Sequence, residues 1–232
     1  MSELRVGRSS NVWAAEGSRA WEAKPLAYRA AKRAFDVGAS LLALLLLGVP
    51  MLLIALAIRL ESRGPALFRQ RRAGWRGRAF RMLKFRTMGE DVDPYGTSPR
   101  SGGDPRLTRV GRLLRETSLD ELPQLLNVLA GQMSLIGPRP LYERQAELWD
   151  ERQRHRLDVR PGITGYAQAY GRASMVLEDK IAFDLYYVEN AGFALDLEVL
   201  LRTLANVIVH RAGGIYEKRY SREKERETDR RA

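Results

Sequence analysis

From Val37 to Ile58 the chain carries no charged residue, and leucine dominates the run VGASLLALLLLGVPMLLIALAI. As a straight helix this run is about 33 Å long at 1.5 Å per residue, enough to cross a bilayer. Pro50 falls near its middle, after Gly48-Val49. It has no N–H to give the backbone ladder and crowds the preceding turn, so a kink or break is expected there. Both flanks are basic, with Lys32 and Arg33 before the run and Arg59 and Arg63 after it. Such flanks favour the cytoplasmic side, so both ends fit on that side. A helix–break–helix that enters one leaflet and returns satisfies the proline and the flanks together. A tilted, kinked spanning helix tolerates the same proline. The length and purity of the run weigh against a buried soluble helix.

Net charge narrows the partners. Lys and Arg number 39 against 28 Asp and Glu, giving +11. That favours phospholipid headgroups, phosphorylated substrates or nucleic acid. No nucleic-acid recognition motif is present, and that reading leaves the apolar run unexplained. The chain has no cysteine, which excludes disulfides, thiolate catalysis and cysteine-held metals. Its two histidines, His155 and His210, are not at a zinc-binding spacing. A metal here would be a hard cation held by carboxylates and phosphate oxygens, with magnesium the natural candidate.

Residues 1–28 are polar and mixed, with Trp13 and Trp21 isolated. They lack the apolar stretch of an export signal and read as a loose or surface-lying extension. Alternation predicts strands over Ala66–Gly74 and Arg78–Met88, joined at Gly74-Trp75-Arg76-Gly77 into a hairpin with one basic face. Residues 89–105 read as a loop. Helices are expected over Leu107–Arg115, Leu119–Leu129, Leu141–Leu157, Leu177–Val188 and Leu195–Val209, with a turn at Arg160–Gly165. In the last helix Leu197, Leu200, Leu201, Leu204, Val207 and Ile208 share helical spacing, for a core or for a membrane surface. Tyr186 and Tyr187 are expected in the core, and the charged tail from Arg211 is expected to be loose.

Chemistry concentrates at Thr117-Ser118-Leu119-Asp120-Glu121-Leu122-Pro123, followed by Gly137-Pro138-Arg139-Pro140. Ser118-x-x-Glu121 fits a capping box, and Pro123 suits a first helical turn. Asp120 beside that pair, with Arg115 before and Arg139 after, adds a second possibility: phosphate or magnesium at a helix start. Prolines on both sides stiffen Arg139, as phosphate recognition prefers. Lys84, Arg86, Arg115 and Arg160 are further candidates, although a basic chain carries many solvated cations. Gly162 and Gly165 read as turn residues.

Several ordered blocks then become recognisable. They are Lys32-Arg33-x-x-Asp36, Lys84-Phe85-Arg86-Thr87-Met88, Asp104-Pro105-Arg106-Leu107-Thr108-Arg109-Val110-Gly111, the run from Ser118 to Leu129, Met133 to Pro140, and Arg160 to Gly165. From about Tyr28 to Tyr220 the sequence resembles the bacterial sugar transferase family, in the small monotopic form of the polyprenyl-phosphate phosphoglycosyl transferases.

The resemblance implies an α+β, mainly helical monotopic membrane protein with a re-entrant helix–break–helix and a small β-hairpin, at the cytoplasmic face of the bacterial inner membrane. Its implied boundaries are an extension over 1–28, the re-entrant region over 29–63, a catalytic domain with membrane-associated amphipathic helices over 64–210, and a tail over 211–232. The implied reaction moves a sugar-1-phosphate from a nucleoside diphosphate sugar, a UDP-sugar in the first instance, to a polyprenyl phosphate. It starts the assembly of a polysaccharide or glycoconjugate. Asp120 would form a covalent phosphosugar intermediate, with Glu121 as metal or acid–base partner. Magnesium would lie at Asp120 and Glu121. Lys84, Arg115, Arg139 and Arg160 would bind phosphates, and Pro50 would break the membrane helix. A homo-oligomer is compatible with this reading. The alternative is a basic membrane adaptor of the same fold that has lost activity.

The chain departs from many relatives in two places. Val49-Pro50 replaces a Ser-Pro break, so the break relies on Pro50 and Gly48. Ala169-Tyr170-Gly171-Arg172-Ala173-Ser174 replaces an Asn-Gly-Arg-Asn loop; if that loop meets the sugar, the sugar here differs from theirs, and the reaction type does not.

Overall fold

A ridge of four residues at i, i+4 spacing, Tyr28, Lys32, Asp36 and Ser40, is buried along one face of the longest helix. Side chains four apart stack on one helical face, so this mostly polar stripe is what joins the helix to the rest of the protein. The computed structural model describes residues 19–211 except 94–95, 97–98, 100–102 and 171–174. A short α1 (Arg19–Glu22) precedes the long α2 (Leu26–Glu61). Next come β1 (Leu67–Arg72) and β2 (Phe80–Phe85), then α3 (Arg109–Glu116) and α4 (Gln124–Leu129). The strand β3 (Ser134–Ile136) leads to α5 (Glu143–Glu147) and α6 (Glu151–Arg154), and β4 (Gly162–Thr164) to α7 (Tyr166–Tyr170), α8 (Leu177–Asn190) and α9 (Phe193–Arg211).

Helix α2 runs on through Pro50 as one 36-residue element. The expected break is therefore not an interruption of the helix. A single missing N–H costs the ladder one bond, which a long apolar helix can absorb. Its best window reaches a mean hydropathy of 2.9 with 6% of that window buried, so the helix is long and apolar enough to cross a membrane. Leu45 is 80% exposed and Leu52 71%. Leucines bared on one segment to this extent are compatible with a membrane or with a covering partner.

Every polar member of the ridge except Ser40 has a partner. Asp36 Oδ1 accepts from Ser134 Oγ at 3.0 Å and from the Leu135 amide at 2.9 Å. Lys32 Nζ and the Tyr28 hydroxyl each donate to Asp196 Oδ2 at 2.8 Å, and the Tyr187 hydroxyl donates to Asp196 Oδ1 at 2.6 Å. The other end of α2 is fastened too. Arg86 donates to the Arg63 carbonyl and, at 2.9 Å, to the Ser62 carbonyl. Glu61 accepts from the Arg109 and Val110 amides at 2.6 and 3.0 Å, satisfying the first donors of α3.

Strands β1 and β2 pair antiparallel from Leu67↔Phe85 to Arg72↔Phe80, as the alternation predicts. Arg69, Arg71 and Arg81 are exposed and form the basic face. Lys84 shares the inward side with Phe80 and Met82, because residues two apart on a strand point the same way. Strands β3 and β4 pair in parallel, so the expected turn at Arg160–Gly165 contains a strand. The backbones pack tightly there: a Cβ on Gly162 would lie 2.1 Å from the Gly137 nitrogen, and one on Gly165 would lie 2.1 Å from the Gly137 oxygen.

The main core gathers Trp21, Tyr28, Ile136, Val159, Tyr187, Val188 and Val199. Trp21 therefore belongs to the fold, a correction to its place in a loose extension; its indole meets Tyr28 edge-on at 5.8 Å. Tyr187 is buried as expected, whereas Tyr186 is half exposed against Tyr166. The expected helix over Leu141–Leu157 is split into α5, α6 and a 3-10 turn. In α9, Val199 is fully buried while Leu197, Leu201 and Leu204 are exposed on one face. Trp13, the turn residues Gly171 to Ser174, the tail beyond Arg211 and the Ile208 side chain lie outside the described residues.

Candidate active site

The Asp120–Glu121 pair lies on a 3-10 turn, Leu119–Glu121, between α3 and α4. Ser118 enters it in the left-handed region at φ +59° and makes no capping bond. This corrects the capping-box reading. Glu121 does not reach back to the turn because two cations hold it. Lys84 Nζ is 2.6 Å from Glu121 Oε1, and Arg139 Nη2 is 2.6 Å from the same oxygen. Arg139 Nη1 reaches Oε2 at 3.4 Å. A left-handed serine costs about 1 kcal/mol or more, and such strain is characteristic of functional turns.

Asp120 is treated differently. Its carboxylate has no hydrogen bond among the described residues, and its nearest cation is Lys84 Nζ at 3.9 Å from Oδ2. Burial pushes its carboxyl above the ordinary range; Lys84, Arg115 and Arg139 pull it down, and Glu121 pushes it up. Glu121 goes the other way. Arg139 and Lys84 outweigh its burial and hold it well below the usual carboxylate range. Burial lowers the Lys84 ammonium, with Glu121 opposing. Two neighbouring carboxylates thus stand in different surroundings: Glu121 is held by two cations, and Asp120 has no hydrogen bond among the described residues.

The cations come from four elements. Lys84 is on β2, Arg115 is in the last turn of α3, and Arg139 is on the Gly137–Pro140 turn after β3. Arg72, from β1, donates to the Pro140 carbonyl at 3.1 Å and lies 3.8 Å over the Tyr142 ring. Burial lowers its guanidinium to about 10. Behind the turn, Arg156 Nη2 donates to the Arg139 carbonyl at 3.0 Å and pairs with the buried Asp184. Sequence reasoning passed over Arg72, Arg156 and Asp184. Single charges on amphipathic segments look like solvated residues, and only the fold reveals their burial.

Arg160 does not join this group. Its Nε donates to the Gly131 carbonyl at 2.9 Å, its guanidinium lies 4.2 Å over the Trp75 ring, and the charges around it are Arg33, Asp36 and Arg76. Among the described residues no three metal-ligating side chains converge. Asp120 and Glu121 would supply at most two side chains to a cation, so a magnesium ion here would take its other oxygens from phosphates and water. A group with a bare carboxylate, a neutralised one and several cations can receive a diphosphate and attack it.

Residues 27–210 match the profile of the family described as bacterial sugar transferase. The chain is 44% identical over 185 residues to the UDP-glucose:undecaprenyl-phosphate glucose-1-phosphate transferase of Caulobacter vibrioides, across 76% of this chain and 69% of that protein. It is 39% identical over 196 residues to the exopolysaccharide production protein ExoY of Rhizobium meliloti, across 78% and 87%. It is 44% identical over 197 residues to the undecaprenyl-phosphate glucose phosphotransferase of Komagataeibacter xylinus, across 78% of this chain but only 36% of that longer protein.

Proposed function

The chain belongs to the bacterial sugar transferase family, and from that membership we propose that it transfers a sugar-1-phosphate from a UDP-sugar to undecaprenyl phosphate, initiating exopolysaccharide assembly. The acceptor class follows the names of two relatives, the donor class that of the Caulobacter vibrioides transferase, and the pathway that of ExoY. The observation that carries the chemistry is the Asp120 carboxylate, which has no hydrogen bond among the described residues while its neighbour Glu121 is held by two cations.

In the first step an Asp120 oxygen attacks the sugar-bearing phosphorus. The new carboxylate–phosphorus bond forms as the bond to UMP breaks, and UMP leaves with the electron pair. In the second, an oxygen of undecaprenyl phosphate attacks the same phosphorus and displaces Asp120. Two displacements suit a site whose donor is soluble and whose acceptor arrives from the membrane. Lys84, Arg115 and Arg139 offset the negative charge of the diphosphate. Magnesium, held by Asp120 and Glu121, would lessen the repulsion between carboxylates and phosphates when bound.

The membrane reading belongs to the same proposal. Val37–Ile58 enters the cytoplasmic leaflet of the inner membrane and returns to the same face through a kink at Pro50 that leaves the helix unbroken, a reading supported by the basic flanks and the bare leucines. The exposed Leu197, Leu201 and Leu204 of α9 lie on the membrane surface. In this arrangement residues 64–210 are the catalytic domain.

The test is incubation of nanodisc-held protein with magnesium, undecaprenyl phosphate and a panel of UDP-sugars, with release of UMP as the readout. Release with one donor, abolished by EDTA, is expected. UMP release by the Asp120→Asn protein at the native rate would overturn the assignment of the nucleophile. Silence across a broad panel from folded protein would favour the inactive adaptor.

A further inference from the structure

The block Lys32-Arg33-x-x-Asp36 and the displaced Arg160 are not used by the chemistry above, yet they meet in one place. A shallow cleft, open to solvent and with an inner space of about 10 Å³, is lined by Arg29, Lys32, Arg33, Asp36, Arg160 and Tyr187 among others. Room for about one water-sized atom lets a single oxygen of a group at the mouth enter, and not a nucleotide sugar. Four cations face one carboxylate there. Lys32 is balanced by Asp196 at 2.8 Å, and Asp36 is occupied by Ser134 and Leu135. Arg33 gives Nη1 and Nη2 to the Val128 and Leu129 carbonyls at 2.7 and 3.0 Å. Arg160 gives only Nε, to Gly131, and its two Nη groups have no hydrogen-bond partner among the described residues. The Arg29 side chain makes no hydrogen bond or ion pair among them, and its Nε is buried.

Two guanidinium forks thus converge on a polar cleft without an anion to meet them. Planar forks of this kind match phosphate oxygens. The depth is also informative. Arg33 is four residues before Val37, about 6 Å along the helix axis. That places the cleft at the level of the headgroups, a layer about 5–8 Å thick on each side of the hydrocarbon.

We propose that this cleft binds the phosphate of one anionic phospholipid, of the phosphatidylglycerol class, between the N-terminal turns of α2 and the turn before β4. The proposal rests on the immersion of Val37–Ile58, whether that helix returns or crosses, and not on transferase chemistry. A lipid held there fixes the height of α2 in the bilayer.

Native mass spectrometry of the full chain in a neutral detergent, titrated with phosphatidylglycerol and without nucleotide sugar, tests it. One retained lipid per protein is expected, held in preference to phosphatidylcholine. Arg29→Gln should weaken retention about tenfold, the factor for one charge-assisted hydrogen bond. The substitution removes no hydrogen bond or ion pair among the described residues, and thermal unfolding of the variant shows whether the fold is kept. Arg29→Lys should restore most of the affinity, and Arg112→Gln, which removes the same charge from an exposed site, should leave it unchanged. Equal losses from Arg29→Gln and Arg112→Gln would reduce the effect to general attraction and overturn the site. Displacement of the lipid by an equal concentration of inorganic phosphate would overturn the lipid assignment. Asp120→Asn should bind the lipid as the native protein does, so this result and the fate of the transferase assignment are read separately.

Discussion

Lys84 Nζ lies 2.6 Å from Glu121 Oε1, inside a hairpin whose outer face is basic. The ammonium is directed at the neighbour of the proposed nucleophile, and Asp120 is left with a longer approach of 3.9 Å. The roles of the adjacent carboxylates are separated by which one the lysine reaches.

Asp120→Asn should abolish UMP release while leaving the protein as stable or about 1 kcal/mol more so, since a buried carboxylate without a hydrogen bond is a cost that function retains. Thermal unfolding beside the UMP assay checks it. A clear drop in melting temperature would mean that Asp120 holds the fold together.

Glu121→Gln removes the counter-charge of Lys84 and Arg139. A loss of about 2 kcal/mol is expected, less than the 3–5 kcal/mol for a fully buried pair because these side chains keep some exposure. Adding Lys84→Met should recover part of that loss in a double-mutant cycle by chemical denaturation. Strict additivity would show that the pair is not coupled.

The rate should fall on the acid side as Asp120 takes up a proton, at a pH above the ordinary aspartate value of 3.8. Arg139→Gln removes a charge that favours the carboxylate, so this limb should move to higher pH. A shift to lower pH in kcat/KM profiles would place the titrating group elsewhere. For stability the signs oppose each other. The depressed Glu121 contributes stability above its ordinary 4.5, lost as the pH falls through its folded value. The raised Asp120 favours the folded state below 3.8, and that contribution fades as the pH rises through its folded value.

The topology is open to labelling, because the chain has no native cysteine. Ala30→Cys and Arg63→Cys are exposed positions on either side of the apolar run. Both should react only with reagent that reaches the cytoplasmic face. Opposite accessibility would mean that α2 crosses.

Gly162→Ala puts a methyl group 2.1 Å from the Gly137 nitrogen, beside the turn that carries Arg139. A destabilisation of about 1–3 kcal/mol is expected, with a fall in activity larger than the stability loss explains. Retained activity at full folding would show that the turn tolerates displacement.

Regular patterns were readable where a period repeats often enough. The hairpin alternates over two strands, and α8 and α9 each present a long apolar stripe. Strand β4 is three residues long, and three residues contain no period; its partner β3 is also remote in sequence. Asp120, Glu121, Lys84, Arg115 and Arg139 were named from local sequence, and the fold brings all five together. Arg160 was named by the same reasoning and stands elsewhere, because a cation beside a proline turn carries no record of which face it serves. Trp21 looked isolated since its partners, Tyr28 and the residues of α8 and α9, are identified only by tertiary contact.

Arg86 and Glu61 lock the last turn of α2 to β2 and α3. The twelve helical positions from Pro50 to Glu61 therefore act as a spacer of set length and phase. Inserting one residue there would shift the Glu61 anchor by about 1.5 Å and turn it by about 100° relative to the Asp36 anchor, so both could not stay seated on the domain. Loops elsewhere absorb such changes, but this segment should vary in composition and hold its length.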